Sequence, residues 1–252
     1  MRFIYPAFAL LTLLSSCDTE KTAEPTIAGH IQLRALEGRT PQGRALFLSF
    51  QDEGQYACSN YGLSTDYQRT GPELSFAFSG AIEPADICLT SIGPARARVD
   101  ITTLPEGSYP LRLRVGSRST TGTLELQSSY VRLSTADPSL VEVTLPELRF
   151  MPAKTIWGAA TTALPASQVS VEVLRDSLQR LGATPTTLPP GTYSQVTIGP
   201  NGLPVPSETS PGFRSLLLVA SYAGSAERIQ AYVRRANAAT PGLNLSINTS
   251  AL

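Results

Sequence analysis

Asp52, Glu53, Asp66, Glu83 and Asp86 crowd one stretch of the chain, and two carboxylates at the right separation are all that acid–base cleavage of a glycosidic bond requires. Acidic side chains in polar loops are more often simply solvated, and no other feature strengthens the catalytic reading. The single histidine, His30, has no nucleophile-elbow serine to serve anywhere in the chain, so histidine-assisted acyl transfer is not expected. It is expected on the surface or on an edge strand. Phosphate-cradling glycine loops and calcium-loop spacings do not occur in the sequence. One histidine near the start and two isolated cysteines are too few ligands for a metal. The expectation is a protein without catalytic residues, metal or cofactor.

Binding chemistry is better represented. Between Gln51 and Pro72, Tyr56, Tyr61 and Tyr67 are interleaved with Ser59, Asn60, Ser64, Asp66 and Gln68. Rigid amphipathic rings among small polar groups are what antibody loops use for contact. The competing expectation is that the rings pack beneath their own loop. Arg96 and Arg98, and again Arg112 and Arg114, are spaced two apart, so each pair shares one face of a strand. If those strands are neighbours, the four form a ladder suited to an anionic glycan. Solvation, with Glu125 pairing one rung, is the other use of the same charges.

These residues are introduced by a leader. Arg2 is followed by an apolar run from Phe3 to Leu14, broken by Pro6 and Thr12 and too short to anchor as a spanning helix. The run closes on Leu14-Ser15-Ser16-Cys17, which resembles the lipobox of bacterial lipoproteins read by signal peptidase II. The resemblance implies removal of residues 1–16, lipid on the Cys17 thiol, and a membrane partner through that lipid. Residues 17–28 are polar with Pro25 among them and read as a flexible tether. Acidic Asp18 and Glu20 resemble the surface-export signal of Bacteroidota lipoproteins, while an aspartate directly after the cysteine resembles the inner-membrane retention signal of enterobacterial ones. A lipid-anchored envelope address is implied, with the outer membrane expected and the inner membrane as the alternative. In that oxidising compartment, Cys58 and Cys88 are expected to form a disulfide closing a loop of about thirty residues.

Without residues 1–16 the chain carries nineteen basic and twenty acidic side chains. Such a balance creates no field to gather nucleic acid, which is not an expected partner.

The elements that must position these groups fall into two patterns. From 29 to 148, short alternating segments separated by Gly, Pro, Ser and Asp predict eight or nine strands and an immunoglobulin-like β-sandwich. Leu74, Phe76 and Phe78 take one face of such a strand, and Leu111, Leu113 and Val115 face inward where Arg112 and Arg114 face out. From 149 to 252, strands at Thr155 to Ala160, Tyr193 to Ile198, Leu216 to Ala220 and Leu243 to Ile247 alternate with helices over 168–181 and 226–239. Val169, Val171 and Val173 also suit a strand, so the first helix has a rival reading; Ser225 is the expected cap of the second. The order predicts a small α+β domain of ferredoxin-like, βαββαβ type. The turn Leu104-Pro105-Glu106-Gly107-Ser108-Tyr109 is echoed by Leu188-Pro189-Pro190-Gly191-Thr192-Tyr193, and both predict strand starts.

Together these features imply a non-catalytic envelope protein with an interaction or structural role and a glycan or protein ligand. Exported ferredoxin-like domains resemble the inhibitory prodomains of subtilisin-type proteases, so a protease inhibitor is the first alternative. A carboxylate-pair glycosidase is the second.

Overall fold

A computed structural model describes residues 27, 29–40, 43–163, 171–194, 196–205 and 213–250. The expected signal peptide, Cys17 and all of the tether except Ile27 lie outside them.

The elements in chain order are β1 (Ile31–Thr40), β2 (Gly43–Gln51), β3 (Gly62–Thr70), β4 (Glu73–Ile82), β5 (Arg96–Asp100), β6 (Gly107–Val115), β7 (Arg118–Leu126), β8 (Tyr130–Thr135), β9 (Val141–Leu145) and β10 (Glu147–Arg149). There follow β11 (Thr155–Ala163), α1 (Val171–Arg180), β12 (Thr184–Pro185), β13 (Gly191–Tyr193), β14 (Val196–Ile198), β15 (Phe213–Ser221), α2 (Ala226–Ala239) and β16 (Leu243–Thr249). The molecule is therefore mainly β, and two helices lie among the described residues.

Twelve strands form one sheet in the order β14-β13-β10-β8-β7-β6-β4-β3-β5-β2-β1-β9. It curls, because β3 and β5 are paired only at Gly62 and Arg96 and the sheet turns there. Phe50 of β2 thus meets Phe76 and Phe78 of β4 with ring centroids 5.0 and 4.9 Å apart. The Thr135 hydroxyl on β8 donates to the carbonyl of Val141 on β9 at 2.7 Å, fastening an edge strand to the far arm. Inside lie Leu33, Leu48, Phe50, Leu74, Phe76, Phe78, Leu111, Leu113 and Leu124, all buried. They come from alternate positions of their strands, as a period of two demands, and each such side chain contributes roughly 1.5–3 kcal/mol by leaving water.

Gly62–Thr70 falls in the polar segment from Gln51 to Pro72, where no strand is expected. It is β3, paired antiparallel along β4. Leu63 and Tyr67 pack on the core while Asp66 and Gln68 face solvent. With so few apolar residues, its alternation is weak on paper, yet the pairing with β4 and one wet face suffice to hold it.

The second sheet runs β12-β15-β11-β16, with every neighbouring pair antiparallel. The helix α1 connects β11 to β12, and α2 connects β15 to β16. Leu174 and Leu178 of α1 and Ile229 and Val233 of α2 bury one helical stripe each against Ile156, Ala160, Leu218 and Leu245. Ser225 has the extended backbone of an N-cap but makes no side-chain cap bond; its hydroxyl serves the Glu227 carboxylate instead. Asn237 of α2 donates to the carbonyl of Leu245 at 2.9 Å and accepts from its amide at 2.8 Å, which satisfies the backbone of an edge strand. Gly158 is required where β11 and β16 approach, since a Cβ there would stand 1.9 Å from the Ser246 carbonyl oxygen.

Tyr193 to Ile198, expected as one strand of the smaller sheet, is instead the hairpin β13–β14, and β13 pairs parallel with β10 at Arg149. The smaller sheet takes the two-residue β12 in its place. Tyr193, Val196 and Ile198 pack with Met151, Trp157 and Leu188 against Leu217 and Val219, so the hairpin covers the sheet face that the helices leave open. The hydroxyl of Ser194 donates to Glu37 of β1 at 2.8 Å. The echoed turns share a geometry: the Tyr109 hydroxyl donates to the Pro105 carbonyl at 2.6 Å, and the Tyr193 hydroxyl to the Pro189 carbonyl at 3.0 Å. Each turn leads directly into a strand, β6 and β13.

Candidate binding surfaces

Cys58 and Cys88 form a disulfide with Cα atoms 5.2 Å apart, as expected. It anchors the loop between β4 and β5 beside the loop that follows β2. Asn60 adds a two-point clamp, donating to the Ile87 carbonyl at 2.7 Å and accepting from the Leu89 amide at 3.1 Å. The Ser59 amide reaches the Leu89 carbonyl at 3.2 Å, and Tyr56 exchanges backbone bonds with Gly93 at 2.9 and 3.2 Å. Held in this way, Ile87, Leu89 and Ile92 are 70%, 53% and 70% exposed. Glu83 and Asp86 lie exposed in the same loop. This apolar crest was missed in the sequence, because isolated apolar residues among Pro, Asp, Thr and Ser follow no period. The available signal was Ile-Cys-Leu around a disulfide cysteine in a segment with no strand pattern.

The tyrosines do not form one exposed surface. Tyr56 and Tyr61 stack at 4.7 Å, Tyr67 stacks on the core ring Phe76 at 5.0 Å from β3, and all three pack partly buried against the core. The Tyr56 hydroxyl donates to Asp52 at 2.5 Å. Burial first, and then this bond to a carboxylate, push its pKa from the ordinary 10.0 to about 12. Because the folded pKa lies above the unfolded one, the contribution of Tyr56 to stability is complete below pH 10 and drains away as pH approaches 12. An alkaline titration of tyrosinate absorbance in the native state is expected to show a phenol ionising near pH 12, which an Asp52→Asn variant shifts to lower pH. Ionisation of that phenol with the bulk tyrosines would contradict the geometry.

The five carboxylates serve different features. Asp52 is buried and committed to Tyr56 and to the amides of Gly54 and Ala95. Glu53 sits 3.1 Å from His30 Nδ1, and Glu142 is 3.0 Å from the other ring nitrogen. Asp66 accepts from Gln68 on β3, and Glu83 and Asp86 belong to the crest. Among the described residues, no three His, Cys, Asp or Glu side chains gather as a metal site would need.

The four arginines do not form one ladder. β5 and β6 are not neighbours, because β3 and β4 stand between them. Arg98 lies over the Phe47 ring at 4.1 Å, and Arg96 pairs in register with Gln51. Glu125 does not pair with any of the four; it binds Arg132 at 3.1 Å and the Tyr130 hydroxyl at 2.7 Å.

Arg112 and Arg114 instead wall a trough on the outer face of β3, β4, β6 and β7. Register aligns two rungs across these strands, Gln68–Ser75–Arg112–Thr121 and Asp66–Ala77–Arg114–Ser119. Small residues on β4 make the floor, and longer ones on β3 and β6 rise on either side, around a volume of about 610 Å³. Glu73 holds Arg112 through two bonds of 3.2 and 3.3 Å, and this hydrogen bond lowers the Glu73 pKa. Arg114 has no ion pair among the described residues.

No protein-family model, curated protein or solved structure matches this chain. Function must therefore be argued from these surfaces.

Proposed function

We propose that this is a non-catalytic, lipid-anchored envelope protein that binds another protein through the disulfide-held crest at 82–93. The observation that carries the reading is the exposure of Ile87, Leu89 and Ile92 on a loop that a disulfide and the Asn60 clamp hold in one shape. A loop with no role would bury such side chains or stay free to collapse; one fixed with its apolar groups outward loses little entropy on docking. With Glu83 and Asp86 beside the apolar tips, the partner surface is an apolar pocket rimmed by basic groups.

The finer architecture belongs to the same proposal. The turn of the large sheet between β3 and β5 supports an immunoglobulin-like sandwich, and the order β12-β15-β11-β16 with its two helix crossovers supports a ferredoxin-like second part. Lipid on Cys17 at the outer membrane rests on the lipobox resemblance; Cys17→Ala is expected to move the protein from the membrane fraction to the soluble fraction.

The crest is tested by placing a photo-crosslinking residue at Leu89 in cells that produce the full chain. One discrete adduct is expected, absent when the residue is placed at exposed Arg34 on β1, and lost when Ile87 and Ile92 are changed to serine. A smear of products, or an adduct indifferent to the serine changes, removes the reading.

A further inference from the structure

We propose that the trough across β3, β4, β6 and β7 is a second binding site, independent of the crest, and that it takes an acidic glycan whose carboxylates are spaced among hydroxyls. Its dimensions suit a small-molecule or oligosaccharide site, which typically occupies roughly 300–1,000 Å³, and about 610 Å³ is present here. Its chemistry narrows the class further.

The ring of Phe76 belongs to the strand beneath the trough but is buried in the core, so no aromatic platform is offered to a sugar face. Recognition must then come from charge-assisted hydrogen bonds. The two guanidiniums differ in commitment: Arg112 is occupied by Glu73, whereas Arg114, next to the Ser119 hydroxyl in the same rung, is exposed and has no ion pair among the described residues. A carboxylate can accept from its planar fork with two parallel bonds. Across the Ala77 floor stand Asp66 and Gln68, which accept and donate as sugar hydroxyls require. Asp66 and Glu73 also oppose a densely charged polyanion, so a heavily sulfated chain or nucleic acid is a poorer fit than a glycan with one charge per sugar.

The test uses the full chain in detergent, titrated calorimetrically with a short oligogalacturonate and with its methyl ester, which keeps the shape and erases the charge. The acid form is expected to bind and the ester to bind at least about tenfold more weakly, the loss of roughly one charged hydrogen bond. Arg114→Gln is expected to reproduce that loss, and Ala77→Leu, which fills the floor, to abolish binding; Arg34→Gln on the other arm leaves it unchanged. Unfolding midpoints close to that of the parent show that the variants are folded, and Arg114→Gln, at an exposed position, provides the test even if Ala77→Leu destabilises the sheet. Absence of binding to the acid form, equal binding of acid and ester, or binding unaffected by both variants overturns the proposal. So does a heparin-like polyanion that binds more tightly than the uronate.

Discussion

Replacing Cys58 and Cys88 together by alanine is expected to lower the unfolding free energy by about 3–4 kcal/mol, the loss that chain entropy assigns to a loop of this size. The two cysteines are separated by 30 positions, so the cross-link removes many open conformations from the unfolded chain. In the folded chain Cys58 is buried, and alanine there avoids placing a lone hydroxyl inside. Urea unfolding of the full chain measures the change. The parent protein under reducing conditions is the control, and its midpoint is expected to fall by a similar amount. A loss below about 1 kcal/mol in both would mean that the loop is already confined in the unfolded state. The crest crosslink adds a second readout. Without the disulfide, only the Asn60 clamp and the backbone bonds from Ser59 to Leu89 and between Tyr56 and Gly93 hold the loop, and the discrete Leu89 adduct is expected to weaken or spread, whereas a purely stabilising disulfide leaves it unchanged in molecules that remain folded.

The fold was legible where one period ran without interruption. Leu74, Phe76 and Phe78 marked β4, and the inward leucines and outward arginines marked β6. In α2, Ile229 and Val233 recur at helical spacing, and its bounds, Ala226–Ala239, match the expected 226–239. The disulfide was expected from an even cysteine pair together with the expected export leader. β3 was not legible, because the residues that give it an outer face, Asp66 and Gln68, are those that wall the trough. Polar side chains on an outer face weaken a strand's signal, and here they are the ones that line the proposed trough. The hairpin β13–β14 was legible as extended chain, but not as a partner of β10, since pairing between distant segments leaves no local trace. The arginines were legible as two outward pairs; only sheet order could separate them. The crest escaped for the converse reason, being three apolar residues that neither a strand nor a helix explains.

Asp52→Ala is expected to cost about 3 kcal/mol or more, and its pattern of failure separates a structural carboxylate from a catalytic one. Asp52 is 1% exposed, and its Oδ1 accepts from the amides of Ala95 at 2.9 Å and Gly54 at 3.2 Å. Its Oδ2 accepts from the Tyr56 hydroxyl at 2.5 Å. Alanine leaves two buried amides and a phenol without their acceptor, and each unsatisfied group costs roughly 1–3 kcal/mol. The same change frees the end of β2 from the segment entering β5, although the backbone bond from the Asp52 amide to the Ala95 carbonyl, 3.1 Å long, remains. Asn at this position keeps one carbonyl oxygen for the two amides and loses the charge opposite Tyr56, so a smaller loss is expected. Chemical denaturation of the three proteins orders them as parent, Asn, then Ala, and the crest adduct at Leu89 should diminish in that order, because Tyr56 exchanges backbone bonds with Gly93 at the root of the crest. A catalytic carboxylate predicts a different result, with stability unchanged or raised on neutralisation because functional charges are held at a cost. An Asp52→Asn variant more stable than the parent would therefore return this residue to the list of candidate acids and bases. The expected ordering makes it instead the anchor that joins the core of the large sheet to the surface through which the protein is proposed to act.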